Sequence, residues 1–167
     1  ITSRKVLKVK AFPVSPSGAL DTGLRKGELR ILNSDWVTWS ANELRIRQPK
    51  VKRVKVIPLT PRTRAILARR RRPGLPLLGQ PDGRPWSLPW IDREWGRAVA
   101  RAHLPGLTFN GLRHTFATRL AGNGEPIAVV GELMGHKAPY TTTLRYYHAL
   151  PEAKRRAIAR LGQARRL

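Results

Sequence analysis

The sequence predicts a mixed fold of the α+β class, mainly α-helical with a small three-stranded antiparallel sheet. Three observations carry this. In the last third, Leu112, Phe116 and Leu120 recur at i, i+4 and i+8, the spacing of a helix with one apolar face. Earlier, two short runs alternate: Leu44 and Ile46 with Arg45 and Arg47, then Val54 and Val56 with Arg53 and Lys55. The strand signals are confined to this one stretch, so the element order is helix, small sheet, then many helices.

Residues 1–18 mix basic and apolar side chains without a period, and Pro13, Ser15, Pro16, Ser17 and Gly18 break any helix. They are expected to form an arm or linker, and Ile1 in place of methionine reads as the start of a fragment. The domain proper is expected over 19–167, with 20–59 holding a first helix and the sheet and 60–167 the helical part. Leu20 to Leu32 reads as one helix, with apolar Leu24, Leu29 and Ile31. Val37 to Trp39 predicts a strand turned by Ser40-Ala41-Asn42. The two alternating runs give half-buried strands, with Pro49 to Lys52 as the basic tip of their hairpin. Thr60-Pro61 starts a helix with proline at its first position, ending near Arg72-Pro73-Gly74. Pro73 to Pro89 is loop, and a helix follows from Trp90 to Ala102. Gly122-Asn123-Gly124 ends the helix built on Leu112. Pro126 opens the next, with Ile127, Val130, Leu133 and Met134 on one face, and Gly135 closes it just before His136. Two more helices are expected, Thr141 to Ala149 and Pro151 to Arg165.

Bulk numbers limit the function. The chain has 167 residues, with 33 Lys and Arg against 10 Asp and Glu, a formal net charge of +23. Such an excess repels itself and suits a chain held beside a polyanion, DNA or RNA first of all. A membrane-spanning helix needs about 20 consecutive apolar residues, and no run approaches that. Cysteine is absent, which excludes disulfides and thiolate metal sites, and the four histidines are scattered. No metal or other cofactor is expected. A cytoplasmic, DNA-associated chain fits these counts.

Five segments carry chemistry, in this order: Thr22-Gly23-Leu24-Arg25-Lys26-Gly27-Glu28-Leu29; Lys50-Val51-Lys52-Arg53-Val54-Lys55-Val56-Ile57-Pro58-Leu59; Leu107-Thr108-Phe109-Asn110-Gly111-Leu112-Arg113-His114-Thr115; Leu133-Met134-Gly135-His136; and Thr142-Thr143-Leu144-Arg145-Tyr146-Tyr147-His148. Together they resemble the catalytic domain of the tyrosine recombinases, the phage integrase and Xer-type family, over about Thr22 to Leu161. The resemblance implies Arg25 and Arg113 as the two catalytic arginines, Lys50, counted back from Pro58, as the catalytic lysine, His136 as the later histidine and Tyr146 as the nucleophile. Glu28 and Asn110 would line the site. Lys52, Arg53, Lys55, Arg69 and Arg70 are candidate DNA phosphate contacts.

The resemblance also implies an activity: site-specific cleavage and rejoining of double-stranded DNA through a 3′-phosphotyrosyl link, by a homotetramer on DNA. Metal-free cleavage of a phosphodiester needs a nucleophile, neutralised charge and a proton for the leaving oxygen. A phenol with a pKa of about 10 is a poor nucleophile at neutral pH, so nearby cations must favour its ionisation. Arginine forks hold two non-bridging oxygens at once. Lys50 on a hairpin tip could protonate the leaving 5′-oxygen. Leu144, Tyr147 and His148 share one helix face, which leaves Tyr146 projecting elsewhere.

Three features depart from the family pattern. Asn110 stands where the second arginine box usually opens with histidine, and an asparagine shuttles no proton near neutral pH. The stretch from His136 to Tyr146 is one residue longer. The long apolar helix that usually precedes the first arginine box is replaced by Val14 to Asp21, interrupted by Pro16 and Gly18. These leave two other classes open: a noncatalytic DNA-binding remnant, and a relative of the type IB topoisomerases. Simpler roles also stand beside the sharp ones. Arg25 can pair with Glu28 on a surface, His136 can cap a helix, and the five tryptophans fit core or subunit contacts better than base stacking.

Overall fold

Proline and glycine do not keep residues 16–18 out of helix. In the computed structural model, which describes residues 16–48 and 53–136 (side chains 18–47 and 54–136), helix α1 spans Pro16–Thr22. Pro16 occupies the first helical position, where its missing N–H costs nothing, and Thr22 Oγ1 donates to the Gly18 carbonyl at 2.5 Å. Ala19 and Leu20 are buried. Residues 16–18 of the expected arm therefore belong to a short helix that precedes Arg25, and the rest of that arm lies outside the described residues.

The single helix expected from Leu20 to Leu32 is two. Gly23 adopts φ +62°, in the left-handed region where a Cβ is unfavourable, and breaks the chain between α1 and α2 (Lys26–Arg30). Leu24 and Leu29 are buried, whereas Ile31 is largely exposed. A short 3₁₀ turn, Ser34–Trp36, leads into β1 (Val37–Thr38), β2 (Glu43–Gln48) and β3 (Arg53–Pro58), an antiparallel sheet in the order β1-β2-β3.

The register corrects the reading of β3. Leu44 pairs with Ile57, Arg45 with Val56, Ile46 with Lys55 and Arg47 with Val54. Directly opposed residues share a face. Leu44 and Ile46 are buried as expected, so Ile57 and Lys55 are buried with them, and Val54 and Val56 point outward.

Helix α3 (Pro61–Ala68) is capped by Thr60, whose hydroxyl accepts from Thr63 N–H at 3.2 Å. It ends four residues before the Arg72 expected. Asp21 of α1 accepts from Arg62 Nε at 2.9 Å and from Thr63 Oγ1 at 2.9 Å, tying α1 to α3. Helix α4 (Leu88–Arg101) starts two residues before the expected Trp90 because Ser87 caps it. Trp95 Nε1 donates to the Leu107 carbonyl at 2.9 Å, and its ring lies 4.4 Å from that of Phe109. This buried tryptophan fixes where α5 (Phe109–Gly122) begins. Trp86 and Trp90 stack at 3.8 Å, and Arg71 lies over Trp39.

The contacts divide the chain into two units, Ile1–Phe116 and Ala117–Leu167, with α5 running across the division. In the second, α6 (Ile127–Met134) buries Val130 and Met134 and stops at Gly135, in the left-handed conformation with φ 66°. The helices expected at 141–149 and 151–165 lie outside the described residues. The expected fold class, mainly helical with a three-stranded antiparallel sheet, is the one observed.

Candidate active site

The break at Gly23 organises the first unit's charged cluster. Its carbonyl accepts a hydrogen bond from Arg113 Nη1 at 2.5 Å, joining residues 90 positions apart in the chain. Arg113 reaches it from the second turn of α5, whose start is held by Thr108 Oγ1 accepting from Gly111 N–H at 2.9 Å. The Arg113 residue is only 5% exposed. A Cβ at Gly23 would overlap the Phe116 ring, so glycine is required here both for conformation and for space.

Two residues on, Arg25 stands at the start of α2. Its backbone N–H donates to Glu28 Oε2 at 2.8 Å, the return arm of a capping box. Its Nη1 reaches Glu28 Oε1 at 3.4 Å, while half of the side chain stays exposed. The surface pairing of Arg25 with Glu28 weighed from the sequence is thus present, and it orients the arginine. Lys26 of α2 pairs with Asp92 of α4 at 2.5 Å, anchoring this short helix.

Lys55 completes the cluster. The sequence suggested a surface phosphate contact, but its side chain is 1% exposed, with Nζ 3.9 Å from Glu28 Oε2. Nζ has no hydrogen-bond partner among the described residues. Burial lowers its pKa from 10.5 to about 8; Glu28 opposes the shift, while Arg113 and Arg25 add to it by repulsion. One carboxylate and three cations therefore meet where α2, β3 and α5 come together.

An arginine bonded to a backbone carbonyl, a second braced by a glutamate and a desolvated lysine form a cluster with a net positive charge, and guanidiniums are the side chains that fit the fork of a phosphate or carboxylate. Phage integrase family sequences match the chain over residues 17–153, from α1 through every box named above. The chain belongs to this family. That membership places it among the tyrosine recombinases. Among relatives, y4rF of Sinorhizobium fredii, a protein with an inferred integrase/recombinase role, is 36% identical over 143 residues, covering 74% of this chain and 32% of its own length. The tyrosine recombinase XerC of Brucella suis is 30% identical over 128 residues, covering 72% of this chain and 41% of its own. The chain thus spans well under half the length of either. Among solved structures, a Tn1549 transposon integrase bound to circular intermediate DNA superposes with a TM-score of 0.75 at 22% identity, covering 96% of this chain and 65% of that one. The catalytic domain of bacteriophage HP1 integrase gives 0.67 at 23% identity, covering 95% and 92%. Both likenesses concern the fold.

The family's remaining positions fall as follows. Asn110 is exposed on α5, its Nδ2 3.0 Å from His114 Nε2 one turn on. His136 follows Gly135 at the end of α6 in the second unit, half-buried, its backbone N–H bonded to the Gly131 carbonyl at 3.0 Å. Arg69 and Arg70 are exposed just past α3. Lys50, Lys52 and Tyr146 lie outside the described residues, as does the side chain of Arg53. Among the described residues no group of three or more His, Cys, Asp and Glu side chains gathers as a metal site would require, and no helix is long and apolar enough to cross a membrane.

Proposed function

We infer that this chain is the catalytic part of a site-specific DNA recombinase that cuts and rejoins strands through a 3′-phosphotyrosyl intermediate. The observation that carries the reading is the junction of the two arginine boxes: Arg113 bonded to the Gly23 carbonyl beside an Arg25 braced by Glu28. Guanidiniums so placed neutralise the scissile phosphate and stabilise the extra negative charge of the pentacoordinate transition state. Tyr146 supplies the nucleophile. Its phenolic oxygen loses its proton to solvent and forms the bond to phosphorus as the bond to the 5′-oxygen breaks, and Lys50 delivers a proton to that oxygen. A 5′-hydroxyl from another strand then attacks the phosphotyrosine and releases the phenol, so resealing needs no external energy source. His136 adds a hydrogen bond to the phosphate. Double-stranded DNA is the substrate, four copies act together, and Arg69 and Arg70 contribute phosphate contacts whose affinity falls with salt.

One observation favours a second reading, a DNA-binding protein without strand cleavage: the second arginine box opens with Asn110, which contacts His114 and transfers no proton. A pool of nicked duplexes of randomised sequence separates the two. Cleavage just ahead of a nick loses the short leaving strand and traps the covalent complex. An adduct that disappears in Tyr146→Phe and persists in Tyr147→Phe supports the recombinase. Bound duplex without an adduct at any pH supports the second reading.

A further inference from the structure

The strand-transfer reading assigns no task to Lys55, yet its placement is costly unless something offsets it. The ammonium is withdrawn from water and has no hydrogen-bond partner among the described residues. The carboxylate nearest to it, Glu28 Oε2, stands at 3.9 Å, beyond hydrogen-bond reach, and is already engaged by the Arg25 backbone. Across the sheet it faces Ile46. The charged groups acting on it are Glu28 of α2, Arg25 just before α2 and Arg113 of α5, one negative and two positive. A monoanion beside these cations would supply the missing compensation.

We propose that Lys55 is a positioning residue of the phosphate pocket whose ammonium is completed by the bound phosphodiester, so that DNA binding at this site draws a proton onto Lys55. The proposal rests on the reading of Arg25 and Arg113 as phosphate ligands. Linkage supplies the coupling: whatever a bound anion gains from the charged lysine, the lysine's proton affinity gains in turn. The lowered pKa, about 8 in the free chain, brings this exchange close to neutral pH. Below the free midpoint the lysine is already charged and binding moves no proton. Above it, binding takes up a proton, and affinity weakens as pH rises. Glu28, the carboxylate that braces Arg25, also acts electrostatically on Lys55, so the lysine's charge is felt by the group that presents the first arginine.

The test uses the whole chain, a short mixed-sequence duplex at low salt, and calorimetry in two buffers of different ionisation enthalpy. About one pH unit above the free midpoint, about 0.4 of a proton or more should be taken up per bound chain. Lys55→Arg keeps a cation that does not titrate in this range, so it should bind without that uptake; Lys55→Met should lose it as well. Direct titration of the lysine Nζ resonances by NMR gives a second readout, with one midpoint near 8 that rises by about one unit or more on saturation with duplex. Tight duplex binding with equal proton uptake in all three proteins, or a Lys55 midpoint that does not move, overturns the proposal while leaving the strand-transfer reading intact. Failure of the nicked-duplex assay removes the strand-transfer reading whatever Lys55 does.

Discussion

Strands β2 and β3 carry the same alternation of apolar and basic residues and put it to opposite use. In β2 the apolar members, Leu44 and Ile46, face the core and Arg45 and Arg47 face solvent. In β3 the valines face solvent, with Val54 55% and Val56 39% exposed, while a lysine is buried. The difference lies in the pairing. β2 has large apolar groups on one face alone. β3 has them on both, Val54 and Val56 against Ile57, with Leu59 just beyond, and Ile57 and Leu59 are the ones buried. Once Ile46 is inside, Lys55 opposite it must follow. The phase of a half-ambiguous strand belongs to the pair, and here the pair delivers a cation to the two arginine boxes.

The apolar anchors of this arrangement should show the largest effects. Leu44→Ala empties a fully buried site and is expected to cost about 2–5 kcal/mol in denaturant unfolding. A cost near zero would mean that the sheet does not pack in this phase. Lys55 comes next. Its pKa is about 8 when folded against 10.5 when unfolded, so between those values the unfolded chain holds the extra proton and stability rises with pH. The penalty is fully present below about pH 8 and gone above about pH 10.5, a span worth about 3 kcal/mol. Wild-type stability measured relative to Lys55→Met should therefore climb by about that amount across the window; a flat difference would place the ammonium in water.

Gly23→Ala should cost about 1–2 kcal/mol for the left-handed backbone alone, and more through its clash with Phe116. Its thermal melt should drop accordingly, and the Arg113 contact should loosen with it. The smallest effect is expected at Val54→Ala, within about 0.5 kcal/mol, because that side chain is largely outside the fold. A large loss there would reverse the assigned faces.

Much of this was legible in the sequence. Thr60-Pro61 and Gly135 marked helix boundaries through chemistry local to a few residues, and the structure has them. The break inside Leu20–Leu32 was not legible by period, because Leu24 and Ile31, seven residues apart, fit one face of a continuous helix. Its cause is Gly23, whose left-handed turn matters only once Phe116 and Arg113 arrive from far along the chain. In the charged cluster, Arg25, Glu28 and Arg113 were visible as box residues. The inward role of Lys55 was missed because each strand was read alone. The signal was nonetheless present. A four-residue tip at Pro49–Lys52 sets Gln48 opposite Arg53, and counting back from there sets Ile46 opposite Lys55.

The central claim is that Arg113 acts on the scissile phosphate and is more than a stitch to Gly23. Arg113→Lys keeps the charge but loses the fork. With folding checked by its melt, its adduct yield on nicked duplex and its duplex affinity should be measured together. The account predicts an adduct rate lower by about a hundredfold or more with affinity nearly unchanged, as for loss of a group that acts in the transition state. An adduct rate that stays at the wild-type level, or that falls only in proportion to affinity, would contradict it.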